Sequence, residues 1–316
     1  MDQRLRLFLF CLLTIAIGTV GIIQTWGVND GNNRVQIGLF SGTDTVDAGD
    51  GNDVVTSSGT GTLRGGAGDD QLLHTGASAI YLLGEAGNDT LVSGTGSDTL
   101  DGGSGNDSLF SASGADTFRA GDGDDTVGFG AGARVFGDAG NDRIVSSGGS
   151  SASTVWGGTA DDYIDMRADA VGDTIFGDDV SALVTDGKDT IYAGSAVDSI
   201  NAGGADDYVS AGAGNDFVFG GDGNDYIVGG RGDDAIDGAG GFDTADYSGT
   251  AGGVEADLFV VRWGHDGADA AGGFVAGARD HRTGAERRIP ALLDEGADVV
   301  VTEEGFGFEL GGQVGQ

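Results

Sequence analysis

Gly220-Gly221-Asp222-Gly223-Asn224-Asp225-Tyr226-Ile227-Val228 is followed without a gap by Gly229-Gly230-Arg231-Gly232-Asp233-Asp234-Ala235-Ile236-Asp237. Both nonapeptides read G-G-x-G-x-D-x-U-x, with Asp at position 6 and a large aliphatic residue, U, at position 8. The glycines permit positive φ and let backbone carbonyls crowd together in a tight turn. The Asp supplies a hard carboxylate oxygen, which suits calcium rather than a soft metal. The last three residues make a very short strand, with U on one face and its neighbours on the other. Self-similarity at a fixed short period is the signature of stacked repeats.

This pattern resembles the RTX (repeats-in-toxin) calcium-binding family, and the likeness covers about residues 39–246. The resemblance implies an all-β fold, a right-handed parallel β-roll (β-solenoid) in which two nonapeptide half-coils make one coil. It also implies multiple Ca2+ ions, each held between two stacked turns by carbonyls and Asp carboxylates.

Half-coils numbered from Leu39 have a period nearer eighteen than nine. Contiguous repeats occupy 39–56, 84–128 and 193–246. The intervening segments 57–64, 74–83, 129–136 and 146–156 each fit as an Asp-less half-coil with one inward aliphatic, Leu63, Leu82, Val135 and Val155. Every even half-coil then carries an acidic turn: Asp53, Asp70, Asp89, Asp107, Asp125, Asp142, Asp162, Asp189, Asp207, Asp225 and Asp243. The odd half-coils carry Asp44, Asp98, Asp116, Asp173 and Asp198 in weaker contexts or no Asp, until Asp216 and Asp234 restore the motif. The expected metal ligands are these aspartates other than Asp44 and Asp173, with the turn glycines Gly212, Gly214, Gly221, Gly223, Gly230 and Gly232. The reading predicts a nearly continuous ladder on one edge and a patchy one on the other, with Asp125 and Asp142 on the same edge. An insertion of about seven residues, Asp179 to Thr185, is needed to keep register.

Composition supports this and excludes much else. Of 316 residues 65 are Gly and one is Pro, about threefold the usual glycine content. Acidic residues number 51 against 15 basic, a formal charge of -36, which would repel nucleic acid. Between residues 39 and 246 the acids are Asp except Glu85, consistent with a short carboxylate held against a tight turn. Stacked Asp side chains repel one another, and glycine-rich chain is costly to order. Folding is therefore expected to depend on calcium.

The single Cys11 excludes a disulfide framework. His74, His265 and His281 stand far apart, with no H-E-x-x-H and no G-x-S-x-G in the chain, so no enzyme activity is expected. Arg231-Gly232-Asp233 spells an adhesion tripeptide, but Arg231 fills a variable repeat position.

Residues 1–27 form a signal peptide or transmembrane anchor. Arg4 and Arg6 precede an apolar run, Leu7 to Ile23, at the short end of the roughly 17–25 residues that cross a bilayer as a helix. Both alternatives place the roll, 28–246, outside the cytoplasm, secreted or at the cell surface, with membrane contact only through the N-terminal segment. Residues 247–316 read as a C-terminal cap or a secretion region. Strands are expected at Gly253–Leu258 and Val299–Thr302, with a basic cluster of Arg279, Arg282, Arg287 and Arg288. Two roles follow: a calcium-binding structural, adhesive or matrix protein with a cell-surface or matrix partner, or a non-catalytic relative of a type I-secreted RTX toxin or enzyme.

Overall fold

One large aliphatic residue in nine cannot supply the broad apolar stripe that a packed helix needs, but it can fill a narrow space between two sheets. The computed structural model describes residues 26–27, 31, 34–37, 45–178, 186–246, 258–261, 275–280, 285–290 and 299–301. It is a parallel β-solenoid of about eleven turns, with no helix among the described residues. The hydrophobic helix expected at the N-terminus lies outside them.

Consecutive strands alternate between two sheets, and each pairs with the strand one coil away. The first sheet stacks Thr45–Asp50, Gly61–Ala67, Ile80–Ala86, Thr99–Ser104, Thr117–Asp122 and Arg134–Ala139. It continues with Thr154–Thr159, Thr174–Asp178, Ser199–Gly204, Phe217–Asp222 and Ala235–Gly240. The second stacks Val54–Ser57, Gln71–His74, Thr90–Ser93, Ser108–Ser111, Thr126–Phe129 and Arg143–Ser146. Tyr163–Asp165, Thr190–Tyr192, Tyr208–Ala213, Tyr226–Arg231 and Thr244–Ala245 complete it. Register keeps the U residues in columns, as in Leu91↔Leu109, Leu109↔Val127 and Val127↔Ile144.

The predicted inward series is the core. Val46, Leu63, Leu82, Val135 and Val155 in the first sheet and Val55, Leu72, Ile144 and Ile164 in the second are all at most 1% exposed. The segments without a motif thus complete half-coils as expected. Most strands run longer than three residues, and the residue two beyond U also faces inward, which adds Ala48, Ala120, Phe129, Met166, Ala202 and Ala211 to the core.

Both ends extend the stack beyond the recognised repeats. Arg34–Ile37 pairs with Val54–Ser57 and Trp26–Gly27 with Thr45–Asp50, so stacking starts before Leu39. Leu258–Val261, adjoining the strand expected at Gly253–Leu258, adds in parallel to Ala235–Gly240, and Val299–Val301 pairs antiparallel with it. Val275–Asp280 and Ala285–Pro290 form a separate antiparallel pair that contains Arg279, Arg287 and Arg288.

Candidate metal-binding edges

Each coil has two turns, and the even turn leads from the first sheet to the second. In Gly65-Gly66-Ala67-Gly68-Asp69-Asp70, positions 2 and 4 have φ of +113° and +124°. The same two positions are positive in every even turn from Ala48–Asp53 to Gly238–Asp243, apart from the turn that carries the insertion. Among the described residues five non-glycine residues have positive φ, Glu85, Asp138, Ala160, Ala205 and Ala239, and all five stand at these positions. Such strain persists only where surrounding structure imposes it.

Position 1 has a different restriction. A Cβ at Gly84 would collide with Asp89 Oδ2 and with the carbonyl oxygen of Gly102 in the next coil. The same pair of oxygens meets at Gly102, Gly137, Gly157 and Gly177. The carboxylate at position 6 therefore turns inward over position 1, facing a carbonyl of the following turn.

These carboxylates form a chain. Oδ1 of Asp70 accepts the backbone N–H of Asp53 at 2.7 Å, Asp89 accepts that of Asp70, and the relay continues through Asp107, Asp125, Asp142, Asp162, Asp189, Asp207, Asp225 and Asp243. Distances run from 2.6 to 3.1 Å. Asp125 and Asp142 are adjacent rungs of one edge, as the eighteen-residue register requires. Asp162 and Asp189 are also adjacent, though 27 residues apart, and the difference lies at the insertion, whose residues 179–185 are outside the described set.

Oδ1 is thus satisfied, but Oδ2 is not. In Asp70, Asp89, Asp107, Asp125, Asp142, Asp162, Asp189, Asp207 and Asp225 it is buried without a hydrogen-bond partner. A buried carboxylate oxygen against a carbonyl oxygen needs a positive charge between them, a proton or a cation. Protonation preferences record this. Burial, reinforced by neighbouring carboxylates and opposed by the backbone N–H, pushes Asp162 up to about 9 and Asp142 and Asp207 to about 8. Among the described residues no three His, Cys, Asp or Glu side chains converge as a metal cluster. An ion here would need backbone carbonyls beside the aspartate, an all-oxygen set that suits calcium.

The family model for the RTX calcium-binding nonapeptide repeat (4 copies) matches residues 55–73, 83–118, 101–135, 184–218 and 210–245. These are RTX repeats. No curated protein matches the chain.

The RTX turn is less complete on the odd edge. Asp98 accepts from Ile80 N–H, Asp116 from Asp98, Asp173 from Ser153, Asp198 from Asp173, Asp216 from Asp198 and Asp234 from Asp216, at 2.7–3.0 Å. The row breaks at Ala133, which has no acceptor to offer Asp116, although its own N–H reaches Ser153 Oγ at 3.3 Å. Among the described odd turns, positive φ at both positions 2 and 4 occurs only at Gly212 with Gly214 and at Gly230 with Gly232, two repeats that keep glycine at both positions and Asp at position 6. Gly221 and Gly223 occupy the equivalent places on the even edge, with φ of +115° and +146°. Asp44 lies outside the described residues.

A second row at position 5 was not expected from the sequence. Asn52 Oδ1 accepts Asp69 N–H, Asp69 accepts from Asn88, Asn88 from Asn106, Asn106 from Asp124, Asp124 from Asn141 and Asn141 from Asp161. It runs opposite to the inner row and lies at the exposed rim. The G-N-D and G-D-D spellings carry its signal: the residue before the ligand is itself an Asn or Asp, which can cap a neighbouring backbone N–H.

Proposed function

We propose that this chain is an extracytoplasmic calcium-binding repeat protein whose roll folds as it loads with calcium, acting as a structural, adhesive or matrix element rather than an enzyme. The observation that carries the reading is the run of buried carboxylates from Asp70 to Asp225 along the even edge, whose second oxygen has no hydrogen-bond partner. The ligands would be the position 6 aspartates with carbonyls of neighbouring turns. Bound calcium would replace repulsion between stacked carboxylates by attraction that exists only in the folded coil.

Sites of this kind resemble extracellular modules in ligand charge, which suggests an affinity on the order of 0.1–1 mM. Calcium at that level is found outside the cytoplasm, and the apolar run before the roll supports export. Recurrence of the acids in register favours ligation over acid–base chemistry.

The test is a calcium titration of the full chain by circular dichroism, with bound ions counted. We expect a metal-free form with little β signal and a cooperative gain as ions load. A spectrum unaffected by chelator would overturn the proposal. Calcium-dependent self-association or surface retention would support the structural role, and release of intact protein through a type I exporter would favour kinship with a secreted toxin.

A further inference from the structure

The turn that carries the insertion departs from its neighbours in one respect. Along the even edge, a Cβ at position 2 would collide with the position 2 carbonyl oxygen of the coil before. Gly66 meets Gly49 O in this way, Gly103 meets Glu85 O, Gly121 meets Gly103 O, Gly158 meets Asp138 O and Gly221 meets Gly203 O. At Gly203 the atom in that place is Oδ2 of the Asp178 side chain. The turn reads Gly177, Asp178, then, beyond the inserted residues, Asp186-Gly187-Lys188-Asp189, so Asp178 stands at position 2 with a carboxylate where every comparable coil offers a carbonyl.

Three further oxygens belong to this turn and the next. Asp189 Oδ2 is buried without a hydrogen-bond partner, in a residue 0% exposed. It and the Ala202 carbonyl converge where a Cβ of Gly177, the residue before Asp178, would lie. Asp186 Oδ2 occupies the corresponding place under Gly204. Asp161, Asp178 and Asp186 all lie close enough to repel the Asp189 charge. Asp178 is held by Gly187 N–H on Oδ1 at 3.0 Å and Gly204 N–H on Oδ2 at 2.7 Å, which leaves further lone pairs on both oxygens.

We infer that the coil of Asp189 and the coil of Asp207 enclose a calcium site with one more carboxylate than its counterparts, supplied by Asp178, and that this site loads first. This rests on the calcium reading above. Calcium affinity rises with the charge and rigidity of the ligand set, and replacing a neutral carbonyl by a fixed carboxylate raises the charge. Loading at this rung would pin the longest connection of the even edge before the weaker rungs fill.

The experiment is calcium binding to the full chain by isothermal titration, with circular dichroism at saturating calcium to verify folding. Wild type should show a first class of ions at least tenfold tighter than the rest. Asp178→Asn and Asp178→Gly, the latter restoring the Gly-Gly of an ordinary turn, should remove that class and keep the remainder. Asp138→Asn, an acid at position 2 that presents its carbonyl, should leave the class intact. A tight class that survives either Asp178 variant overturns the assignment, as does its loss in Asp138→Asn. Failure of both Asp178 variants to fold at saturating calcium also overturns it, in favour of a purely structural bridge from Asp178 to Gly187 and Gly204. Absence of all calcium binding by wild type would instead defeat the reading on which it rests.

Discussion

The even edge keeps its aspartate in every coil from Asp53 to Asp243, whereas the odd edge has Gly61, Ile80, Ala133 and Ser153 where the carboxylate would be. The odd edge nevertheless closes. Ile80 fills the position with a side chain only 1% exposed, and its N–H still reaches Asp98. Ser153 substitutes a hydroxyl and donates its own N–H to Asp173. The difference teaches that the coil path tolerates an apolar or neutral plug in place of an acid. Retention of Asp through all the even turns therefore points to something the path alone does not need.

Withdrawal of metal should have the largest effect on this contrast. Excess chelator is expected to abolish most of the β signal in circular dichroism, because the even row then faces its own charge. A chelated form with full β content would mean that both edges are merely structural.

Single substitutions sharpen the comparison next. Asp142→Asn keeps the hydrogen bond to Asp125 but removes a buried ligand charge, and should raise the calcium midpoint of folding about fivefold or more, at a cost of about 2–3 kcal/mol. Asp116→Asn, beside the gap at Ala133, should cost under about 1 kcal/mol. Equal shifts in the two variants would erase the distinction between edges.

Acidity provides a third probe, in chelator. The folded pKa values are raised above the ordinary 3.8, so the folded chain holds protons that the unfolded chain releases. The resulting stabilisation is full below about pH 4 and is lost as pH rises through about 6 for Asp70, Asp89, Asp107 and Asp125, and through about 8 to 9 for Asp142, Asp207 and Asp162. On the odd edge Asp173 and Asp216 release at about 7. Metal-free chain should thus show more β structure near pH 5 than near pH 9, while the calcium midpoint rises as pH falls because protons compete for the same oxygens. Metal-free order that increases with pH would contradict the burial of these groups.

The smallest effect belongs to the outer row. Asn106→Ala removes the acceptor for Asp124 N–H at an exposed rim and should cost about 0.5–1.5 kcal/mol without changing the number of ions bound. A change in stoichiometry would make position 5 part of the site.

Both edges were legible in the sequence because a two-sheet coil repeats every two nonapeptides, so the Asp pattern separates by parity. The inward column was legible for the same reason. Less accessible were features that depend on contact between coils. Glu85 and Asp138 show no sign in the sequence of holding positive φ, since the turn imposes it through its neighbours. The outer Asn/Asp row needs the stacking register before its partners are apparent. Gly31, φ +118°, donates to Asp50 O as Gly51 does to Ala67 O, so a further turn precedes the recognised repeats. It escapes the motif because Asn33, not Asp, stands before Arg34. Outward stacking of Phe136, Trp156 and Phe176, with Arg119 and Arg134 over the rings, likewise appears only once strands twenty or so residues apart become neighbours.

The two rows of the even turn point in opposite directions along the axis. Each inner carboxylate accepts from the coil before it, and each outer Asn or Asp accepts from the coil after it. On the even edge the interfaces between coils are therefore one-way joints with a donor and an acceptor on each side, except after Lys188, whose side chain offers no acceptor. A stack made of one-way joints has unlike ends that complement each other, the condition for head-to-tail polymerisation rather than closed pairing. The joint contains no instruction to stop. The length of such a roll is therefore set by what covers its two ends and not by the coils between them.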